Sequence, residues 1–187
     1  MRIAIIGTAG RRDDGPRLTD RTFSCMLLEA RRVLAALPRP HALQSGGAAW
    51  ADHVAVTLFL HGVVDGLTLH LPAPLRRLGG FDEAHLDGRI ANHYHRAFSD
   101  ALRHDTLGDL ADAVERGAAV TTSSGFLHRN LLVGRCDFLL AFTFGPGAVP
   151  KDGGTKHAWD KSSAPRKFHV PLGPLLGRPA QGALPLY

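Results

Sequence analysis

The chain has 187 residues, 44% of them hydrophobic and 21% charged, which predicts one folded domain with a real apolar core. Its 22 Lys and Arg against 17 Asp and Glu give a net charge of +5, which favours an anionic ligand without identifying it. No apolar run approaches the ~18 residues of a membrane span, and the first strand pattern leaves no room for a signal peptide, so we expect a cytoplasmic protein without membrane contact.

Short apolar runs alternate along the chain with stretches of helical spacing. The first run, Arg2–Gly7 (RIAIIG), has the β-branched character of a strand that is buried on both faces of a parallel sheet. Such alternation predicts βαβ units with right-handed crossovers, and therefore an α/β fold with a Rossmann-like, doubly wound, mostly parallel sheet flanked by helices. Further strands are predicted at 41–44, 67–71, 118–121, 137–144 and 168–172, and helices at 18–37, 50–60, 90–103, 107–116, 125–136 and 155–159.

Three segments are too rich in glycine, proline or charge for a regular element. Residues 8–16 predict a turn-rich loop, and residues 72–88 (PAPLRRLGGFDEAHLDG) predict a long functional loop or lid. The last segment, 173–187, is predicted to form an irregular strap that follows a domain spanning residues 1–172.

Small-residue loops follow several of the predicted strands. In an open parallel sheet such loops meet at one edge, where helix N-termini favour phosphate. A single glycine loop is more often only a tight turn, so the prediction depends on all of them together. The expected ligand-binding residues in these loops are Gly7, Thr8, Ala9, Ser45, Gly46, Gly47, Gly153, Gly154 and Thr155.

Thr155 is the most informative of these residues. With Gly153 and Gly154 it would present backbone amides and a hydroxyl group to a phosphate at the start of a helix. The alternative is that Thr155 only N-caps that helix, which requires no ligand.

Taken in order, the motifs resemble the SLOG superfamily, which joins the LONELY GUY phosphoribohydrolases, the DNA-processing protein DprA and YspA/YpsA-like nucleotide-binding proteins. The order and spacing look most like the YspA-like branch, and the resemblance covers roughly residues 2–172. The motifs that carry it are RIAIIGTAGRR, SGGAAWADHVAV, GFLHRNLLVGRCDFLLAF and GGTKHAWDKS with KFHVPL behind it.

The resemblance implies a site in which Arg129 serves as the family's arginine. Asn130 stands where the phosphoribohydrolases have lysine, and Ala158 stands where they have their catalytic glutamate. Hydrolysis of an N-glycosidic bond needs a carboxyl group, and Asp160 should face away from the pocket. Among the substitutes Asp13, Asp14, Asp52 and Asp152, the best placed is Asp52, although an acidic residue there would also stabilise a helix dipole.

Several aromatic and polar side chains have alternative interpretations. His93 and His95 point apart on a helix, and neither of the two cysteines, Cys25 and Cys136, has metal-ligand spacing, so no metal or cofactor is predicted. Trp50 would stack on a base or belong to the core. Asn92, Tyr94 and Arg96 would line the pocket beside it.

Three functions follow from these patterns. The first is binding of a nucleotide or nucleotide-sugar phosphate at the C-terminal edge of the sheet, as a sensor or processing domain, which needs no catalytic acid. The second is a nucleoside-phosphate N-glycosidase (a hydrolase) with a relocated acid, for which Arg129 and Asp52 are the catalytic candidates. Arg129 and Asn130 are expected to bind the phosphate in either of these two functions. The third, single-stranded DNA binding, would need an aligned basic strip among Arg76, Arg77, Arg89, Arg96 and Arg103. The resemblance also implies a homodimer.

Overall fold

The computed structural model describes residues 1–39, 41–77 and 79–177. These residues form one six-stranded sheet in which every pair of neighbouring strands is parallel. The α/β class and the parallel sheet predicted from the sequence are therefore confirmed. The strands are β1 (Arg2–Gly7), β2 (Ala42–Ser45), β3 (Gly66–Leu71), β4 (Ala119–Thr122), β5 (Phe138–Thr143) and β6 (Arg166–Pro171).

The strand order is β4-β3-β2-β1-β5-β6. The chain moves outward from β1 to β4 on one side and then returns to place β5 on the other side of β1. The order therefore reverses beside β1, and the carboxyl ends of β1 and β5 border the switch point at which open α/β sheets bind ligands.

Helices cover both faces of the sheet, as a doubly wound fold requires. The first of them begins with a capping box, in which the Thr19 side chain accepts from the Thr22 amide and the Thr22 side chain accepts from the Thr19 amide. The seven α-helices of the described residues are α1 (Asp20–Ala35), α2 (His53–Leu60), α3 (Leu86–Leu102), α4 (Thr106–Glu115), α5 (Phe126–Val133), α6 (Gly153–Lys161) and α7 (Leu172–Leu176).

The core consists of two apolar clusters separated by the sheet. Alternate residues of β1 show the division, because Ile3 and Ile5 pack into the cluster with α1, α2 and α4, whereas Ala4 and Ile6 pack into the cluster with α5 and α6. Both faces of β1 are thus buried, which explains why its sequence is a continuous apolar run rather than an alternating one.

The structure differs from the predictions mainly at the ends of elements. Residues 8–16 are not wholly irregular, because a 3-10 helix occupies Arg12–Arg17. Helix α3 begins at Leu86, inside the segment predicted to be a loop, and α5 ends at Val133, before Cys136. The ends of helices fray or tighten within one turn, so apolar spacing alone does not determine the first and last residues of a helix.

The prediction of an irregular strap from residue 173 is wrong at its start. Leu172–Leu176 form a short helix in which Leu172 and Leu175 are buried against α1, and this apolar contact stabilises a turn that Gly173 and Pro174 disfavour by propensity. Residues 178–187 of the predicted strap lie outside the described residues. In the described part of the chain, no helix combines the length and the apolar character that crossing a membrane requires.

Candidate functional site

A cavity of about 640 Å³ opens at the C-terminal edge of the sheet. Its walls come from the ends of β1 and β5, the loop after β2, and parts of α3, α5 and α6. This position is beside the switch point, where the expected ligand-binding loops were predicted to meet. Of the predicted site residues, those that line the cavity are Gly7, Thr8, Ala9, Gly47, Asp52, Arg129, Asn130, Gly153, Gly154 and Thr155.

Ser45 and Gly46 were also predicted to bind the ligand, but the structure places them behind the cavity wall. The Ser45 hydroxyl donates to the Asp52 carbonyl (2.8 Å) and accepts from the Gly47 amide (3.0 Å), and its side chain is fully buried. These bonds occupy the hydroxyl group in holding the loop that leads into α2. Ser45 is therefore a support for the site rather than a ligand-binding residue.

Gly46 allows two charged side chains to approach each other. A methyl group at Gly46 would lie 2.6 Å from Asp52 Oδ2 and 2.8 Å from Arg129 Cζ, both too close for carbon. The Gly46 carbonyl accepts a hydrogen bond from Arg129 Nη1 at 3.1 Å. Its backbone is thus part of the floor on which the Asp52–Arg129 pair rests.

Helix α6 presents its N-terminus to the cavity. It begins at Gly153, which has a φ of +72°, a value that favours glycine. The N-cap residue Asp152 makes no side-chain capping bond, and the first amides of a helix have no partner within it. The amides of Gly153, Gly154 and Thr155 are therefore available at the cavity wall.

The alternative that Thr155 is the N-cap of this helix is wrong, because the helix begins two residues earlier. The Thr155 hydroxyl instead donates to the Gly7 carbonyl at 2.8 Å. This bond ties the start of α6 to the end of β1 and fixes the distance between two walls of the cavity. Thr155 keeps its backbone amide, but not its hydroxyl hydrogen, for a ligand.

Asp52 is a buried carboxylate at the cavity floor. Its side chain is 5% exposed and Oδ2 lies 4.0 Å from Arg129 Nη1, while the same oxygen has no hydrogen-bond partner among the described residues. Burial raises the pKa of Asp52 above its ordinary value, and the Arg129 charge and nearby backbone amides oppose that rise without cancelling it.

The Arg129 guanidinium makes three hydrogen bonds within the protein, so not all of its donors are free to contact a phosphate. Nε and Nη2 both donate to Asn130 Oδ1, at 3.3 and 2.9 Å, and Nη1 donates to the Gly46 carbonyl. The Asn130 amide nitrogen in turn donates to the Gly154 carbonyl at 3.3 Å. Asn130 therefore joins the arginine of α5 to the first turn of α6, a positioning role that a lysine could not perform because it has no acceptor.

Charged residues of both signs surround the cavity, and sequence reasoning missed most of the basic ones. Their positions in the sequence could have indicated them, because Arg11 and Lys151 flank the glycine loops that were predicted to bind the ligand. The Thr8 hydroxyl donates to Asp14 Oδ2 at 2.6 Å, which folds this loop against β1. The basic lining residues are Arg11, Arg17, Arg129 and Lys151, and the acidic ones are Asp13, Asp14, Asp52 and Asp152.

The aromatic residues divide between the cavity and the core. Tyr94 lines the cavity as predicted, together with Phe126 and Phe144. Trp50 is core, with its ring 4.4 Å from that of Phe98. Asn92 and Arg96 do not line the cavity: Asn92 is buried and bonds both backbone groups of Phe81, and Arg96 pairs with Glu83 at 2.7 Å.

His95 supports the cavity from inside the core. Its Nε2 donates to the Gly47 carbonyl at 3.0 Å and its Nδ1 accepts from Thr106 Oγ1 at 3.0 Å. Burial, with the neighbouring His53, lowers the pKa of His95 to about 3, so the ring is neutral. His93 is exposed, and the two rings therefore lie on different sides of α3, as the helical spacing predicted.

The comparisons with known proteins identify a viral relative of this chain. No protein-family model and no solved structure matches the chain. The uncharacterized protein R261 of Acanthamoeba polyphaga mimivirus is 35% identical over 179 residues, which cover 92% of this chain and 96% of the viral protein. The chain therefore belongs to the family of mimivirus protein R261.

Proposed function

We propose that the protein binds a nucleotide or nucleotide-sugar phosphate in the cavity and belongs to the SLOG superfamily, nearest to its YspA-like branch. The observation that carries the proposal is the first turn of α6, whose amides face the same cavity as Arg11, Arg17 and Lys151. Backbone donors and the helix dipole stabilise phosphate there, and the cations neutralise the rest of its charge.

The acidic residues of the cavity favour a small ligand with hydroxyl groups. Asp13 and Asp14 accept hydrogen bonds but repel phosphate, so one half of the ligand should be uncharged and rich in donors, as a ribose is. A cavity of about 640 Å³ lies within the range typical of sites for small molecules and cofactors, about 300–1,000 Å³.

The first experiment is a thermal-shift screen with AMP, ADP, ATP, ADP-ribose and NAD. We expect at least one of them to raise the melting temperature, because a ligand that binds only the folded state stabilises it. A screen in which none of these compounds and no inorganic phosphate changes the melting temperature would contradict the proposal.

The phosphate contact is tested by replacing Gly154 with proline. Proline removes one free amide from the first turn without breaking a helix bond, and we expect the affinity for the best nucleotide to fall about tenfold or more, as loss of a charge-assisted bond predicts. Isothermal titration calorimetry measures the change.

Gly154→Ala is the matched control for this variant. An added methyl group at Gly154 meets nothing nearer than the Asn130 amide nitrogen at 3.6 Å, and alanine keeps the amide. Gly154→Ala should therefore bind as the wild type does. Equal losses in the two variants would show that the backbone amide does not contact phosphate.

The second candidate function is nucleoside-phosphate N-glycosidase activity, and Asp52 is the observation that favours it. A carboxyl group whose pKa is raised by burial retains its proton more readily, as a general acid must. In the proposed step water adds to C1′ of the ribose and the C1′–N bond breaks. The bond's electron pair leaves with the base, the Asp52 proton neutralises it, and a proton of the water returns to Asp52.

Turnover is tested by chromatography of each nucleotide after incubation with the protein. If the protein is a hydrolase, wild type releases free base, and Asp52→Asn should lose that activity by two or more orders of magnitude, as expected when a general acid is removed. Binding without released base would contradict the hydrolase and leave the binding function.

Single-stranded DNA binding is not favoured by the arrangement of the arginines. Arg76 pairs with Asp82 at 3.2 Å, Arg89 donates to the Glu83 carbonyl and Arg96 pairs with the Glu83 carboxylate. Three of the arginines proposed for a basic strip are thus engaged with the 82–83 segment, which leaves them fewer donors for a phosphate backbone.

A further inference from the structure

Two aromatic side chains meet at one side of the cavity although they lie far apart in the sequence. Tyr94 comes from α3 and Phe126 is the first residue of α5, and both are half-buried. The guanidinium carbon of Arg11 lies 5.5 Å from the Tyr94 ring centroid and 5.1 Å from the Phe126 ring centroid. The three side chains therefore form one cluster, which we call the Tyr94–Phe126 cluster.

Arg11 is an exposed cation in this cluster. Its side chain makes no hydrogen bond or ion pair with another described residue, and its contacts are with the two rings. Arg129 lies on the same Phe126 ring at 5.4 Å. Burial lowers the pKa of Arg129; the Asp52 charge opposes this shift, and the charge of Arg11 adds to it. An anion that approaches this side of the cavity would therefore relieve a repulsion between the two arginines.

We propose that Tyr94 and Phe126 form the subsite for the base of the nucleotide, an inference that rests on the proposed function. A guanidinium stacks on aromatic rings as a planar group, and a nucleobase uses the same kind of contact. When the base stacks in this cluster, Arg11 leaves the rings and pairs with the phosphate. Because every base has a π-face, these two rings favour a ligand that carries a base over a ligand without one. They do not discriminate between different bases.

The third aromatic residue of the cavity is the natural control. The Phe144 ring is covered by the Arg17 guanidinium, whose carbon lies 3.7 Å from the ring centroid. Phe144 directly follows β5 and is not part of α3 or α5. It shares the cavity and the half-buried environment, but it does not belong to the Tyr94–Phe126 cluster.

The test compares AMP with ribose 5-phosphate by isothermal titration calorimetry. Wild type should bind AMP more tightly than ribose 5-phosphate. Phe126→Leu and Tyr94→Leu should weaken AMP binding about tenfold or more, the usual loss when a stacking ring is removed, and leave ribose 5-phosphate binding unchanged. Phe144→Leu should keep the wild-type ratio of the two affinities.

Each remaining outcome is informative. Equal wild-type affinities for AMP and ribose 5-phosphate, or equal weakening of both ligands in the leucine variants, would overturn the base subsite and leave phosphate binding intact. Failure of both compounds to bind would overturn the proposed function as well. The comparison of AMP with ribose 5-phosphate in wild type needs no variant, so the inference stays testable if a leucine variant does not fold.

Discussion

Replacing Gly7 with alanine is expected to lower the free energy of unfolding by about 3 kcal/mol, the upper range for overpacking a rigid core. The added methyl group would overlap the carbonyl oxygen of Phe142 and lie 2.6 Å from Ala51 Cβ. Phe142 is backbone of the neighbouring strand β5 and Ala51 is fully buried, so neither neighbour can move without displacing the sheet edge. Urea unfolding followed by circular dichroism measures the loss.

Gly173→Ala is the matched control for this substitution. Nothing lies within 4 Å of a methyl group at Gly173, which is inside α7, where alanine has the better helix propensity. Its stability should be equal to or slightly above that of wild type. If Gly7→Ala were as stable as Gly173→Ala, the close approach of β1 to β5 and to Ala51 would not be rigid, and the cavity floor would be more adaptable than its packing indicates.

The strands and their parallel arrangement were predictable because the relevant signal is local. Arg2–Gly7 and Phe138–Thr143 are apolar runs bounded by turn residues, and the alternation of such runs with helical spacing predicts a parallel sheet. The meeting of Gly7, Gly47 and Gly153 at one cavity also followed from the fold, since the carboxyl ends of parallel strands share an edge.

The details of the site depend on contacts that no local pattern encodes. The Tyr94–Phe126 cluster joins three elements, and the sequence gives no indication that Arg11 would lie between α3 and α5. Ser45 was predicted to contact the ligand because it precedes two glycines. Its role depends on the direction of its side chain, and the hydroxyl group points away from the cavity to the Asp52 carbonyl. Such choices are made by side-chain direction and tertiary packing rather than by residue type.

The Asp52–Arg129 pair makes stability depend on pH in a direction that can be derived. Burial raises the folded-state pKa of Asp52, so as pH rises the unfolded chain loses this proton first. Stability contributed by the protonated group is present below the unfolded-state pKa, about 3.9, and is lost as pH rises through the folded-state value. Arg129 limits this loss, because its positive charge opposes the rise in the pKa.

Replacing Arg129 with methionine is therefore expected to destabilise the protein by about 3–5 kcal/mol near neutral pH, the usual cost of leaving one buried charge unpaired. The loss should be smaller at about pH 4.5 than at about pH 8, because a protonated Asp52 needs no counter-ion. His70 increases this difference between the two pH values. Burial and the Arg129 charge lower the pKa of His70, so folding is penalised at low pH, where the unfolded chain binds this proton more readily. Removal of Arg129 relieves part of that penalty. Urea unfolding of wild type and variant at both pH values measures the effect.

Asp52→Asn separates the pair from the packing of the arginine itself. In the Asp52→Asn background no carboxylate is left unpaired, so Arg129→Met should lower the free energy of unfolding much less near neutral pH. The part of the pH dependence that comes from Asp52 should disappear, and only the smaller His70 contribution should remain. A loss from Arg129→Met that is the same at both pH values and in both backgrounds would mean that Arg129 acts through its three hydrogen bonds to Asn130 and Gly46. In that case the carboxyl group at the cavity floor would have no ionic partner, and burial and the nearby backbone amides alone would set its pKa.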